Sequence, residues 1–446
     1  MSVADKENIA LKNIRSFTLF RMFFSARFYY PVYALMFFHY GVELDKFALL
    51  NALWAASIVL LEIPSGALAD TVGRRNLLIF GAVCMVIEMG VLLVAPIGGG
   101  AWLFTLFAIN RVLSGAAEAA VSGADEALVY DSMKAAGIES RWGHVMERVQ
   151  RDTSLAFFFA MMVGAACYDP AMVNAVLKIF GSAQFVVQEQ LVKVPIFLTF
   201  LSGIVVLLMA LRMKEARYEH ELTTRETLSK SWSRTQAAAK WIWLTPLPFG
   251  IILAAMVIDS TVRQFLTLAS EYWNVIQLPI ASYGLIGSGM ALMGVFVPRL
   301  ARYLSEGGTP LRSFLITVTA VFVGLYGLAM AIPFWGILPA VFLYASIQLT
   351  GYFVSIYLNK AAPSEQRATV LSFRGLATNF AYGAVSILYS GLILALQAKH
   401  EADLDLKPEH FQPVVFVDSL SWFPLCFLVS VAAIFMIHRV RFRKGD

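Results

Sequence analysis

Three ionisable residues recur at intervals of seven in one apolar stretch: Arg111, Glu118 and Asp125. Seven residues of an α-helix fall about 20° short of two full turns, so the three side chains share one helix face over about 21 Å. Because an ionised group inside a bilayer costs at least a few kcal/mol, each must face a partner or a water-filled cavity. The pattern predicts the wall of a polar pathway for protons or a solute. A ladder neutralised by neighbouring helices, without a role in transport, is the alternative.

Other apolar stretches hold single charges or close pairs. Arg27 lies near the centre of one stretch, and Glu62 and Glu88 lie in the next two. Asp259 and Arg263 are four residues apart, a spacing that lets them neutralise each other on one helix face. A structural and a functional role are equally open for that pair. Arg27 and Glu62 join the three residues above as candidates for substrate binding or proton coupling, whereas Glu88 is a lesser candidate.

The chain that must position these residues is 446 residues long, 59% hydrophobic and only 15% charged, with a mean hydropathy of +0.68. Soluble domains are about 25% charged, so this composition requires lipid as the solvent. A membrane-spanning helix needs about 20 apolar residues. We therefore predict an all-α membrane protein with twelve transmembrane helices, at residues 16–40, 48–69, 76–97, 102–127, 152–168, 191–212, 244–267, 279–300, 313–332, 335–358, 369–396 and 414–437.

The basic residues indicate the topology of these spans. Twenty-five of the 35 lysines and arginines fall on the side that carries the N-terminus, and five fall on the other side. By the positive-inside rule, both termini are expected in the cytoplasm, and we expect a bacterial inner membrane. The pI of about 9.0 then reflects topology and not binding of nucleic acid.

Two longer connections stand between the spans. Residues 170–189 are semi-apolar and predict a lateral or re-entrant helix. Residues 213–243 form a charged cytoplasmic linker that could lie as an amphipathic helix on the membrane surface. This linker divides the chain into a six-helix half at 1–212 and a second six-helix half at 244–446, one of the known transporter architectures.

Several classes of site lack their signatures in the sequence. There is no Walker-type phosphate loop, so ATP is not expected to drive the protein directly. There is also no Cys-x-x-Cys or His-Glu-x-x-His motif, and we expect neither a metal nor a cofactor. The three cysteines lie in apolar stretches and do not imply a disulfide framework. The first apolar stretch is long and lacks a small-residue cleavage site, so we expect it to be retained as a helix and not removed as a signal peptide.

The turn between the second and third spans carries a recognisable motif. Residues 66–75, Gly-Ala-Leu-Ala-Asp-Thr-Val-Gly-Arg-Arg, resemble the signature loop of the major facilitator superfamily, G-x-L-A-D-x-x-G-R-R/K. Residues 111–115, Arg-Val-Leu-Ser-Gly, are similar to the R-x-x-x-G motif of the fourth helix in that family. Residues 122–132 and 363–372 resemble a prokaryotic branch of it. The resemblance covers the whole chain and implies the twelve-helix fold of these transporters.

The resemblance also implies a cytoplasmic gate. In the family, the signature aspartate meets the cytoplasmic end of the eleventh helix, so Asp70 is expected to face the start of the span after Pro363. Gly73 allows the tight reversal of the chain. Arg74 or Arg75 is expected to pair with an acidic residue near the fourth helix, and the loop would then latch the two halves on the cytoplasmic side. The candidate gate residues are Gly66, Asp70, Gly73, Arg74, Arg75 and Asp131, with Asp125 and Glu126 as alternative acidic partners.

Arg27 and Glu118 stand where related sequences carry uncharged residues, and they have opposite signs on two helices that line the central cavity in this family. We therefore expect them to pair. Such a pair could bind substrate or exchange partners during transport, or it could be a fixed buried salt bridge of little net stability.

The sequence favours a secondary active transporter that works by alternating access, in which protons drive the export of a small amphiphilic solute. Uptake of an organic anion, held by Arg27 and Arg111, is the first alternative. A membrane protein that senses or handles lipid without coupled transport is the second. The expected partners are a small-molecule substrate, protons and the lipid bilayer, and we expect a monomer that is not an enzyme.

Overall fold

The computed structural model describes residues 3–215, 224–306, 308–363, 367–403 and 411–442, and these residues form helices and connecting turns without a strand. The absence of strands follows from the solvent, because a helix satisfies its own backbone hydrogen bonds in lipid. The helices of the first half are α1 (Val3–Ser25), α2 (Tyr33–Tyr40), α3 (Leu44–Thr71), α4 (Arg74–Val94), α5 (Leu103–Val121), α6 (Ala124–Ala135), α7 (Trp142–Tyr168), α8 (Pro170–Ile179), α9 (Gln188–Leu191) and α10 (Val194–Arg212).

The linker and the second half continue in the same all-helical manner. The predicted linker contains α11, and the remaining helices follow it with short connections. They are α11 (Thr224–Leu244), α12 (Pro246–Val275), α13 (Ser282–Glu306), α14 (Pro310–Ala329), α15 (Ile337–Ala361), α16 (Arg367–Asp403), α17 (Phe411–Leu420) and α18 (Trp422–Phe442).

Within the described residues, ten helical segments are long and apolar enough to cross a membrane. A bent pair, Glu139–Tyr168 with Pro170–Ile179, adds an eleventh if it is taken as one span. The all-helical membrane class predicted from the sequence is thus confirmed, whereas the predicted count of twelve is only partly supported. The predicted first span, 16–40, is not among the ten because it consists of α1, a short 3-10 turn at Tyr30–Val32 and α2.

The predicted lateral or re-entrant segment contains α8, which is bent by 84° from the preceding helix. Asp169 makes this bend possible, because its Oδ1 accepts hydrogen bonds from the backbone N–H groups of Ala171 at 2.8 Å and Met172 at 3.4 Å. Its Oδ2 accepts a third bond from the N–H of Ala281 at 2.9 Å. One buried carboxylate therefore caps α8 and also holds the segment that leads into α13.

The chain separates into two compact units. The first contains Met1–Gly41, Ala56–Trp232 and Pro279–Ser288, and its core is built by apolar side chains of α1, α4, α6 and α10, such as Phe17, Phe20, Met85, Leu128 and Val206. The second contains Val42–Ala55, Ser233–Leu278 and Gly289–Asp446, where α12 packs against α15, α16 and α18. The first turns of α3 and α13 thus each belong with the other sequence half, while the predicted boundary at 213–243 stays a prediction.

Candidate functional site

The turn of the signature motif is closed by a residue far along the chain. Gly73 has φ +103°, a backbone conformation that side chains other than glycine rarely adopt, and it is the N-cap of α4. The carboxylate of Glu215 accepts hydrogen bonds from the N–H groups of Arg74 at 2.8 Å and Arg75 at 3.1 Å. An anion at the N-terminus of a helix satisfies free N–H groups and the helix dipole together. A Cβ on Gly73 would lie 2.7 Å from Glu215 Oε2, so glycine is required by space as well as by φ.

The two arginines of the turn have different partners. Arg74 forms an ion pair with Asp131 of α6. Arg75 instead donates to the backbone carbonyls of Met213 at 2.7 Å and Leu211 at 2.9 Å, at the end of α10. Of the three acidic residues considered as partners for these arginines, Asp131 is therefore the one that pairs with Arg74.

The other two acidic candidates, Asp125 and Glu126, are bound by an arginine of α1. Arg21 lies 3.0 Å from Asp125 through Nε and 2.5 Å from Glu126 through Nη2. Sequence reasoning did not anticipate this partner, because Arg21 lies in a different span and nothing in its local pattern indicates which helix it faces. The pairing fastens α1 to the first turn of α6.

Asp70, the remaining charged residue of the motif, lies in the last turns of α3, and its side chain is outside the described residues. Its expected partner is the start of the span after Pro363, where the side chains of residues 364–368 are also outside them, so this pairing stays a prediction. Gly66 is exposed, and a Cβ there would meet no atom within 4 Å.

The predicted charged stripe does not lie on one continuous helix. α5 ends at Val121, Gly123 has φ +74°, and a new helix, α6, begins at Ala124. Arg111 and Glu118 share α5, whereas Asp125 lies in the first turn of α6 beyond the break. The expectation of an unbroken 21 Å ladder is therefore wrong, because a left-handed glycine ends the first helix before the third residue is reached.

Arg111 is buried and is held by neutral groups. Its Nε and Nη2 donate to Oδ1 of Asn110 at 2.8 and 2.6 Å, and its Nη1 donates to the hydroxyl of Tyr33 at 2.6 Å. Asn110 in turn donates to the backbone carbonyl of Glu88 at 3.0 Å, and the guanidinium also lies over the Tyr33 and Phe37 rings. Among the described residues no carboxylate lies within 4.0 Å of Arg111, so its charge is stabilised by dipoles and aromatic faces.

Arg27 lies in the break between α1 and the 3-10 turn, and it forms an ion pair with Glu88 of α4. The two side chains are almost fully buried, with exposed fractions of 4% and 0%. The Nε of Arg27 also donates to the carbonyl of Phe24 at 3.3 Å, a group left free because the helix ends there. The expected pairing of Arg27 with Glu118 is therefore wrong, since Glu88 supplies the carboxylate.

Glu118 is exposed on α5 and forms no ion pair with any of the described residues. It still interacts electrostatically with Arg27 and Glu88, so it lies near that pair without belonging to it. On α3, one carboxylate oxygen of Glu62 is buried without a hydrogen-bond partner in the described part of the chain. Ser65 donates both to the Glu62 carbonyl at 2.9 Å and to that of Ala119 at 2.8 Å. Glu62 and Glu118, neither of which has an ion-pair partner among the described residues, thus lie on either side of the Ser65–Ala119 contact between α3 and α5.

In the second unit, Asp259 and Arg263 form the predicted pair across one helical turn, at 2.5 Å. Arg263 also donates to Oδ1 of Asn379 on α16 at 2.7 Å and lies over the Tyr382 ring. The pair is thus fixed on a second helix. Over the described residues, no group of three or more His, Cys, Asp or Glu side chains could hold a metal ion.

The sequence matches the family model described as Major Facilitator Superfamily over residues 16–386. A solved bacterial homologue of the human lysosomal transporter Spinster, inward-facing and unoccupied, superposes with a TM-score of 0.68 at 14% identity, covering 100% of this chain and 99% of that one. A mutant of the nucleoside transporter NupG gives 0.67 at 11% identity, covering 95% and 99%, and a D-xylose–proton symporter gives 0.59 at 14% identity, covering 96% and 98%. At such identities the likeness shows the fold alone. No curated protein matches the sequence of this chain.

Proposed function

The chain belongs to the Major Facilitator Superfamily, and on that premise we propose that it is a secondary active transporter that exports a small amphiphilic solute in exchange for protons. Membership makes it a multi-pass membrane transporter and not an enzyme. Its place in a bacterial inner membrane with both termini cytoplasmic is supported by the distribution of its lysines and arginines. We take the monomer as the working unit.

The observation that carries the proposal is the state of Glu118. It is an exposed carboxyl group on a membrane helix and forms no ion pair in the described residues. The neighbouring Arg27 is already paired with Glu88. An ionised side chain near the bilayer centre costs at least about 3 kcal/mol. We therefore assign this carboxyl group to proton uptake and release, or to binding of a cationic solute, and not to a fixed structural role. On the adjoining helix, the buried oxygen of Glu62 that has no hydrogen-bond partner among the described residues supports the same assignment.

A second candidate function, uptake of an organic anion, rests on Arg111. Its charge has no carboxylate partner in the described part of the chain, which is the property that an anion site requires. Against it, Arg111 is buried, and three of the five N–H groups of its guanidinium already donate to Asn110 and Tyr33. Arg27, the other arginine considered for an anion, is neutralised by Glu88. We therefore rank export of a cationic or neutral amphiphile above uptake of an anion.

For the signature turn we propose a latch on the cytoplasmic side that joins the two halves in the outward-facing state. The residues that would form it are Gly66, Asp70, Gly73, Arg74, Arg75 and Asp131. The ion pair of Arg74 with Asp131 and the bonds of Glu215 to the turn support a rigid platform from which Asp70 could reach its partner. Asp259 and Arg263 of the second unit remain candidates for coupling or substrate binding.

The proposal is tested with purified protein in two stages. A panel of small cationic, neutral and anionic compounds is first screened by thermal shift, because a ligand at 100 times its Kd adds about 2.7 kcal/mol to stability. The compound that binds is then loaded into proteoliposomes of known orientation under an imposed pH gradient. Movement of a cationic or neutral compound toward the proton-rich side, abolished by an uncoupler, is expected. Accumulation of an anion would favour the second function, and flux insensitive to the uncoupler would exclude coupled transport.

A further inference from the structure

A polar stripe runs along the outer half of α12. Gln264, Thr267, Glu271 and Asn274 follow one another at intervals of three, four and three residues, which places them on one helix face. α16 carries a stripe with the same intervals, at residues Asn379, Tyr382, Ser386 and Tyr389. Both helices belong to the second compact unit and pack against each other. Two matching polar stripes on neighbouring membrane helices are costly in lipid unless they face each other.

Hydrogen bonds join the two stripes. The hydroxyl of Ser386 donates to Oε1 of Gln264 at 2.8 Å, and both side chains are fully buried. The hydroxyl of Tyr382 approaches Oγ1 of Thr267 at 3.5 Å. Further along, the Tyr389 hydroxyl is bonded to Ser419 of α17 at 2.8 Å. A continuous polar seam therefore runs between α12 and α16 and ends at α17.

Glu271 is the acidic member of this seam. It is 6% exposed, and among the described residues no lysine, arginine or histidine lies within 4.0 Å of its carboxyl group. Asn274 lies beside it, one turn further along α12, and its side chain is exposed. An ionised carboxylate buried without a cation is strongly penalised, whereas a carboxylic acid needs only neutral partners.

The charged groups of the surrounding helices lie away from Glu271. On its own helix, Asp259 and Arg263 neutralise each other at least eight residues, or about 12 Å, further along the axis. On α18, His438 is bonded to Pro246 at the start of α12, and Arg441 is bonded to Trp243 at the end of α11. The remaining titratable groups whose side chains are described lie on α12 itself and on the helices around it. They are Tyr272 of α12, Cys426 and Arg439 of α18, Arg312 and Tyr326 of α14, Tyr344, Tyr352, Tyr357 and Lys360 of α15, and Arg374, Tyr382, Lys399, Glu401 and the His400–Asp418 pair of α16 and α17.

One titratable side chain does face Glu271 from a packed helix. Tyr389 interacts with it electrostatically, and its hydroxyl is already fixed by Ser419. Tyr389 is buried, whereas the side chain of Asn274 is exposed, so the solvent-facing end of this region is the Asn274 end. Glu271 is thus a buried carboxyl group with no basic group within 4.0 Å among the described residues and with an exposed neighbour, Asn274. These surroundings favour a carboxyl group that binds and releases a proton.

We propose that Glu271 is a proton-binding site in the second half of the chain, separate from Glu118 and open to the outer end of α12 through Asn274. In the proton-bound form an O–H bond joins a proton from water to one carboxyl oxygen, and release returns that proton to water. The inference rests on the proposed proton coupling, but it assigns a different group on a different unit. Tyr389 is a positioning residue for this site.

Infrared difference spectroscopy of the purified protein between acidic and alkaline buffer tests the proposal. The wild-type chain is expected to show a protonated-carboxyl band that loses intensity as the pH rises. Glu271→Gln should remove that band. Tyr389→Phe should keep it but shift its frequency and its titration midpoint, whereas Tyr326→Phe, an exposed tyrosine of α14, should change neither. A Glu271→Gln spectrum identical to that of the wild type over the whole range would overturn the proposal.

A second measurement needs no variant and keeps the test decisive if Glu271→Gln does not fold. A hydrophobic carbodiimide reacts with protonated carboxyl groups, and mass spectrometry identifies the modified residue. Labelling of Glu271 that falls as the pH rises supports the site, and no labelling at any pH overturns it. Measuring transport driven by a pH gradient together with the infrared band and the labelling on Glu118→Gln separates the two proposals. If that variant keeps gradient-driven transport, coupling at Glu118 is wrong, and the Glu271 band still decides the second site.

Discussion

The guanidinium of Arg27 is paired with the carboxylate of Glu88, 61 residues away in sequence and on a different helix. Both side chains are almost completely buried, and the ring of Phe24 covers the guanidinium. A buried pair of this kind adds little net stability over apolar residues of similar size, but removing one partner leaves an uncompensated charge. We therefore expect single substitutions of either residue to be more destabilising than substitution of both together.

Arg27→Met and Glu88→Gln should each lower the free energy of unfolding by about 3–5 kcal/mol, because each leaves the other charge buried without a partner. The double variant should recover much of that loss. A double-mutant cycle measured by thermal and denaturant unfolding in detergent should give a coupling of about 0.5–3 kcal/mol.

The matched control is the cycle of Arg27→Met with Glu118→Gln. Since Glu118 is exposed and forms no ion pair with a described residue, the effects of the two substitutions should add to within about 0.5 kcal/mol. A larger coupling in this cycle than in the Glu88 cycle would contradict the arrangement seen here.

Gly73 and Gly66 should respond in opposite ways to alanine. Gly73→Ala forces a side chain into a positive φ and against Glu215, which should cost about 1–3 kcal/mol. Gly66 lies inside α3 with open space around its Cα, so Gly66→Ala should be neutral or stabilising by about 0.5–1 kcal/mol. Thermal unfolding of the two variants side by side checks the prediction. Equal destabilisation would mean that the turn conformation is not what limits position 73.

The fold class could be predicted from the sequence because a long apolar segment in lipid must satisfy its own backbone hydrogen bonds, and a helix does so. The positions at which the helices end or break were harder to predict from the sequence. The dipeptide Ser122–Gly123 is typical of turns, but it lies in a run whose apolar character continues on both sides. α12 was predicted to end at 267 because hydropathy falls at Ser270 and Glu271, whereas it continues to Val275. That shortfall kept Glu271 out of the predicted membrane region.

The partners of the charged residues could be predicted only where the sequence fixes their distance. Asp259 and Arg263 are one helical turn apart, and the ion pair follows from that spacing alone. Arg27 with Glu88, Arg21 with Asp125, and the bond from Glu215 to the turn join helices whose relative rotation is set by packing. The local sequence does not indicate how the helices are rotated relative to one another. Opposite charges on two spans therefore suggested Glu118 as the partner of Arg27, whereas the structure pairs Arg27 with Glu88.

The ion pair of Arg74 and Asp131 should matter more for conformation than for stability. Their side chains are about a quarter exposed, so the pair is worth only about 0.2–1 kcal/mol. If the proposed latch exists, Arg74→Gln and Asp70→Asn should both shift the protein toward the inward-facing state, with transport falling more than ligand binding. Distances between spin labels on the cytoplasmic ends of the two halves measure the shift. Arg148→Gln, which breaks an exposed pair with Asp152, is the control and should leave those distances unchanged.

Glu118→Gln should separate coupling from transport. The substitution keeps the size and hydrogen-bonding capacity of the side chain but removes the titratable proton. Because Glu118 has no ion pair among the described residues, no partner is stranded, and the variant should unfold within about 0.5 kcal/mol of the wild type. Accumulation of solute driven by a pH gradient should be lost, while exchange of labelled for unlabelled solute across the membrane should continue.

The control for this variant is Glu126→Gln, a carboxyl group at a helix start that is already paired with Arg21. It should retain both accumulation and exchange, since its charge is already neutralised by Arg21. Both activities are measured in proteoliposomes with the compound identified by thermal shift. Equal loss of accumulation and exchange in Glu118→Gln would identify Glu118 as a residue that binds the solute. Full retention of accumulation would assign coupling to another carboxyl group. Glu62 is then a candidate, because one of its oxygens is buried without a hydrogen-bond partner in the described chain.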